Sequence, residues 1–185
     1  MKAWRILLVA IVAVTFFAAG CGEKTDDEAK TEKAPAETEV AEVHEGVDWY
    51  DYETGMAKAA EEGKFVVIDF WTTWCHWCKV LDDKTYSQEI VQQRLADSFI
   101  AIKVNAESKE AQGTSTDAPT GANLARKYGV NSYPTTWFVD PTGEPISPLP
   151  GFMEAPKFAR VLDYVSTSAY KSQGFQEYMA AGDEG

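Results

Sequence analysis

Two cysteines three positions apart, Cys75 and Cys78 in the stretch TTWCHWCK, are the residues of this chain whose type and spacing most directly suggest chemistry. A pair so spaced can serve as a redox dithiol, half of a metal site, a haem anchor or a structural clip. A structural zinc needs four ligands, usually from two Cys/His pairs. Beyond this pair the other candidates are only His76 and His44, so no metal ligand set is assigned. Haem attachment requires histidine directly after the second cysteine, and Lys79 stands there. A bridge closing so small a loop adds little stability through chain entropy. A redox-active disulfide between Cys75 and Cys78, with no other cofactor, suits the residues best. A thiolate pair can also hold Cu(I), so a binding module remains an alternative.

The surrounding pattern supports reactivity. The run FVVIDFW, residues 65–71, is apolar and partly β-branched and reads as a buried strand. Helical spacing follows through Val80, Leu81, Ile90, Val91 and Leu95, with a kink expected at Tyr86–Gln88 and Ser87 capping the second piece. Cys75 therefore stands at or just before a helix N-terminus, where unpaired N–H groups and the helix dipole favour its thiolate. That thiolate is the nucleophile of disulfide exchange. Cys78, one turn on, is placed to attack the resulting mixed disulfide. His76, when protonated, would favour the Cys75 thiolate further; otherwise it fills an exposed loop position. Trp74 and Trp77 offer apolar surface to a substrate or simply pack.

The other elements follow from the same periodicities. Glu53–Glu62 reads as a helix stopped by Gly63, residues 99–107 and 135–140 as strands, and GANLARKYGV as a short helix ending at Gly129. After the turn DPTGE, the prolines of EPISPLP confine that strand to a sheet edge or make it irregular. Glu154–Tyr170 is amphipathic, with Pro156 in its first turn. The order α, β, α, β, α, β, β, α implies an α/β fold with a central mixed sheet flanked by helices. Residues 106–120 read as a polar surface insertion.

Composition limits the partners. The chain has 185 residues, 45% hydrophobic, enough for one domain with a real core, and a net charge of −12. That charge argues against nucleic acid, whose phosphates need a basic patch. Residues 1–20 combine Lys2 and Arg5 with an uncharged run of 14 residues, Ile6–Ala19. This is short for a span of roughly 20 apolar residues and suits a signal peptide. Ala18-Ala19-Gly20-Cys21 resembles the lipobox of bacterial lipoproteins, which implies cleavage before Cys21 and lipidation of its sulfur. The chain would then be lipid-anchored to a membrane and face the periplasm or cell exterior. Gly22, where an aspartate would favour inner-membrane retention, points toward the outer membrane if the cell is Gram-negative. Residues 21–46 then form a disordered tether, coil-like and on the order of 25–30 Å in reach. The globular domain is expected over 47–171, with a C-terminal tail at 172–185.

FVVIDFWTTWCHWCK resembles the thioredoxin superfamily, whose active site has the form Trp-Cys-x-x-Cys-Lys after a strand. The resemblance covers about residues 50–170 and implies a thioredoxin fold. It implies that Asp69 is a buried acid moving the proton on and off Cys78, a role that a burial-raised pKa suits. It also implies that Lys103 tunes this acid. In SYPTTWF it implies that Pro134 is a cis-proline packing opposite the cysteines. Tyr133 would offer backbone groups to an extended substrate. Gly151 matches the glycine before the last helix. DFWTTWCHWCKVLDDKTYSQEIVQQRL and GFMEAPKFARVL are similar to the C-terminal periplasmic domain of the DsbD thiol reductases. That likeness implies a protein-disulfide reductase acting on oxidised proteins and recharged by an upstream thiol reductant, such as a membrane thiol reductase. His76-Trp77 departs from the residues familiar there. Delivery of disulfides is therefore the alternative direction.

Overall fold

The computed structural model describes residues 46–181. The signal segment 1–20, Cys21 and residues 21–45 of the tether, with His44, lie outside the described residues, as do residues 182–185. In chain order the elements are β1 (Trp49–Tyr50), α1 (Tyr52–Glu62), β2 (Phe65–Trp71), α2 (His76–Leu81), α3 (Glu89–Ser98), β3 (Phe99–Asn105), α4 (Gly121–Lys127), β4 (Thr135–Val139), β5 (Pro145–Pro150), α5 (Ala155–Ser166) and α6 (Phe175–Ala180).

The strands lie in the order β1-β3-β2-β4-β5. β2 runs parallel to β3 and antiparallel to β4, so the expected mixed sheet is the one observed. β5 is an edge strand, as its three prolines require, because residues without an N–H cannot serve an inner ladder. Period two along β2 explains the unbroken apolar run. Val66, Ile68 and Phe70 face a core shared with Ala59 of α1 and with Leu124 and Ala125 of α4. Val67 points the other way, into a core built by Val91 and Leu95 of α3 and by Phe158, Val161 and Leu162 of α5. Asp69 falls on that second face.

Local chemistry sets the element ends. Asp51 caps α1 by accepting the Thr54 N–H at 2.9 Å, and Gly63 closes it in the left-handed conformation, φ 65°. Between α2 and α3 the expected kink is a wide turn, Asp82–Tyr86, closed by Ser87 N–H donating to Asp82 O at 3.1 Å. Ser87 does not cap α3, contrary to expectation. Its backbone is still helical (φ −74°, ψ −11°), so its hydroxyl turns back and donates to Asp83 O at 2.6 Å. Gln88 holds the cap position instead.

Two elements have no sequence signature. β1 is two residues long, too short for periodicity, and pairs with β3 at the sheet edge. The expected C-terminal helix stops at Ser166, since Ser168 is left-handed (φ 58°), and a separate turn covers Ala169–Lys171. The segment expected as a tail holds α6, whose Tyr178 packs on Tyr164 of α5 with ring centroids 4.9 Å apart. The polar insertion folds back on α1. Glu53 Oε2 accepts the N–H groups of Thr114 and Ser115 at 2.8 and 2.9 Å.

The seating of α1 on β3 depends on Gly55, where an added Cβ would lie 2.4 Å from Ile102 Cγ1. Alanine in a helix interior normally gains about 1 kcal/mol over glycine, but overpacking a core costs roughly 1–3 kcal/mol. Gly55→Ala is therefore expected to lower stability by up to about 2 kcal/mol in urea unfolding; a stabilised variant would show that this contact is loose.

Candidate active site

β2 delivers Asp69 to the middle of the sheet and then releases the chain into the turn that carries the cysteines. Cys75 N-caps α2, its Sγ accepting the Cys78 N–H at 3.0 Å. The two cysteines form a disulfide with Cα atoms 5.3 Å apart. Both are nearly inaccessible, whereas Trp74, His76 and Trp77 are exposed. The same N–H that meets the disulfide sulfur would stabilise a Cys75 thiolate on reduction.

On the face shared with Val67, registration across three strands sets Lys103, Asp69 and Thr136 in one row. Asp69 is 1% exposed. Lys103 Nζ lies 3.3 Å from Asp69 Oδ2 and also pairs with Asp82, on the wide turn after α2. Asp69 Oδ1 has no hydrogen-bond partner among the described residues. Burial pushes the Asp69 carboxyl up to about 6; the Lys103 charge opposes this rise and the Asp82 carboxylate adds to it. An acid that changes protonation near neutrality, with one oxygen free, can accept and return a proton.

Lys103 is also held by aromatic rings. Its Nζ is 4.7 Å from the Trp49 ring centroid and 5.6 Å from that of Tyr86. Tyr86 meets Trp49 edge-on at 4.9 Å and shares a 3.2 Å hydrogen bond with Thr136. The two-residue β1 thus places Trp49 over the lysine.

The Tyr133–Pro134 peptide is cis, and Pro134 is buried. Pro134 O accepts the Gly151 N–H at 2.8 Å, joining the loop before β4 to the loop after β5. Gly151 takes φ 86°, which glycine adopts without strain. Tyr133 stands edge-on to Trp74 at 5.9 Å. Trp74 Nε1 donates to Glu107 Oε2 at 3.0 Å, and Trp77 lies against Phe152 at 5.7 Å.

The structure therefore joins Asp69 to Lys103, and Trp74 to Tyr133, while Cys21 lies outside the described residues. Sequence reasoning missed Asp82, Trp49, Tyr86, Glu107 and Phe152. Asp82 had a signal: it falls seven residues after Cys75 and four after Cys78, on one helical face. The others are brought in by separate strands and loops and had none.

A family model for a thioredoxin-like domain matches residues 52–166. A thiol:disulfide interchange protein DsbD from Actinobacillus pleuropneumoniae is 30% identical over 106 residues, 56% of this chain and 17% of that protein. A second DsbD, from Salmonella paratyphi A, is 32% identical over 109 residues, 58% of this chain and 18% of that protein. The chain thus spans less than a fifth of these relatives. A thioredoxin from Thermus thermophilus superposes with a TM-score of 0.53 at 26% identity, covering 65% of this chain and 87% of that one. A thioredoxin-fold protein from Helicobacter pylori superposes with the same score at 23% identity, covering 65% and 80%.

The raised Asp69 carboxyl has a stability consequence. Between about pH 4 and 6 the folded chain binds a proton that the unfolded chain has released, so stability falls as pH rises through this window. Asp69→Asn is expected to abolish that fall. In denaturant titrations of the oxidised protein the variant should be more stable by about 2–3 kcal/mol at pH 8 and no more stable below pH 4. A variant less stable than the parent at pH 8 would contradict the burial argument.

Proposed function

The chain belongs to the thioredoxin-like domain family, matched over residues 52–166, and on that premise we propose that it is an extracytoplasmic thiol:disulfide oxidoreductase acting as a protein-disulfide reductase. The observation that carries this reading is the Cys75–Cys78 disulfide at the start of a helix, with a buried acid, its pKa raised by burial, on the preceding strand. The identities of the DsbD proteins support the reaction class.

In the reduced chain the Cys75 thiolate attacks one sulfur of a substrate disulfide. A mixed disulfide forms, and the substrate's other sulfur leaves as a thiolate and takes a proton from solvent. Cys78 then gives its proton to the Asp69 carboxylate. Its thiolate attacks Cys75 Sγ, which forms the intramolecular disulfide and expels the second substrate thiolate. Two electrons pass to the substrate. An upstream thiol reductant, a membrane thiol reductase of the DsbD kind being the natural donor, must return them before the next turnover. Lys103 holds Asp69 ionisable, and Asp82 shares that lysine. Trp74, His76, Trp77 and Tyr133 form the surface met by the oxidised protein, and the buried cis-Pro134 shapes the loop that carries Tyr133. Lipidation at Cys21 would tether the domain to a membrane facing the periplasm or cell exterior.

Cys75→Ser is expected to abolish reduction of a model disulfide, while Cys78→Ser should accumulate substrates as mixed disulfides on Cys75 that thiol-sensitive gels resolve. Reduction at the parent rate by Cys75→Ser would end this reading. Asp69→Asn should slow turnover by roughly 100-fold above pH 6, where the carboxylate is the acceptor, and much less below it. The direction of flow is read from the reduction potential. A value near about −270 mV supports a reductase, and one near about −120 mV reverses the assignment to disulfide donation. Cys21→Ala should move the protein from the membrane to the soluble fraction.

A further inference from the structure

The proposed exchange leaves open which disulfides this surface accepts, and the rings around Cys75 bear on that question. Trp74 is 65% exposed and Trp77 55%, two of the four large exposed hydrophobics among the described residues. They stand one residue before and two residues after the nucleophile. Isolated exposed apolar residues need no explanation, but a contiguous apolar patch at a reactive centre marks a contact site. These rings are also fixed in place. Trp74 is pinned by its hydrogen bond to Glu107 and by the edge of Tyr133. Trp77 lies on Phe152 with the ring planes 31° apart, and His76 meets it edge-on at 5.6 Å.

The four rings come from three separate segments: Trp74 and Trp77 from the cysteine turn and α2, Tyr133 from the cis-proline loop, and Phe152 from the loop after β5. The Gly151-to-Pro134 hydrogen bond locks the last two loops together. Aromatic anchors held this way lose little freedom when a partner arrives, so their contact area converts efficiently into affinity. The charge at the rim discriminates too. Glu107 sits against Trp74 in a chain of net charge −12, an environment unfavourable to small acidic disulfides.

Resting on the oxidoreductase reading above, we infer that the Trp74–Tyr133 and Trp77–Phe152 pairs, whose tryptophans flank Cys75 along the chain, form an aromatic clamp selecting disulfides whose cysteine is flanked by a large apolar side chain, with Phe152 as a specificity-determining residue. Such side chains are accessible beside a disulfide in extended, unfolded protein segments, and they are missing from glutathione disulfide. The exchange step is the one already given; the clamp acts on its encounter.

The test uses the reduced full-length chain mixed with two disulfide-bonded peptides that differ only in having Phe or Ser before the attacked cysteine. Glutathione disulfide is the third probe. Oxidation of the dithiol is followed by tryptophan fluorescence in single turnover. The Phe peptide is expected to react roughly 10-fold faster than the Ser peptide at subsaturating concentration, and glutathione disulfide more slowly than either. Phe152→Ser should bring the two peptides to within about 2-fold of each other. Phe152→Leu, which keeps an apolar side chain in the loop and is the variant to use if the serine fails to fold, should lower the preference at least about 3-fold. Equal parent rates on the two peptides, or an undiminished preference in either variant, would overturn the clamp and leave the oxidoreductase standing. Failure of all three probes to oxidise the dithiol would remove the oxidoreductase reading itself.

Discussion

A carboxylate inside a sheet is costly to keep, and the placement of Asp69 constrains much of what surrounds it. Ionising a group that is 1% exposed forfeits its hydration. Lys103 returns part of that loss from the adjacent strand. The lysine is itself shared with Asp82 and covered by Trp49 and Tyr86. The balance comes out near neutrality because neither effect wins outright: full pairing would hold the acid ionised, and burial alone would hold it protonated. The proton acceptor of the proposed cycle needs this intermediate position.

That cluster explains features that otherwise look incidental. β1 has two residues and little pairing strength of its own, yet its Trp49 closes one side of the lysine's environment. The wide turn after α2 interrupts a helix that could have run on. It puts Asp82 within reach of Lys103 and brings Tyr86 under the sheet to meet Thr136. The cysteine turn follows directly from β2, so the strand that buries the acid also positions Cys75, the nucleophile of the proposed cycle. In the proposed cycle the proton acceptor and the thiols are coupled by one continuous segment.

Much of this was legible from local pattern. The strand, the cysteine turn, the interrupted helix and the proline-limited edge strand each write a period or a turn signal into consecutive residues. Ser87 shows where such reading fails. A serine after a kink resembles an N-cap, but capping depends on backbone angles, and those were set by the i→i+5 closure of the turn before it. β1 and α6 escaped for a related reason: elements of two and six residues carry too few positions for a period, and long-range packing holds them in place.

The amino-acid sequence by itself determined the closely spaced Cys75–Cys78 pair, the strand that buries Asp69 and the alternation of strands and helices, because these depend on neighbours within a turn or two of chain. It also implied that Lys103 and Pro134 would matter, through resemblance alone. Tertiary structure decided that Lys103 serves two carboxylates, that Trp49 and Tyr86 enclose it, that Glu107 fixes Trp74 and that Phe152 backs Trp77. Each of those contacts joins residues far apart along the chain. Their geometry is created by strand register and loop closure, which come into being only when the sheet assembles.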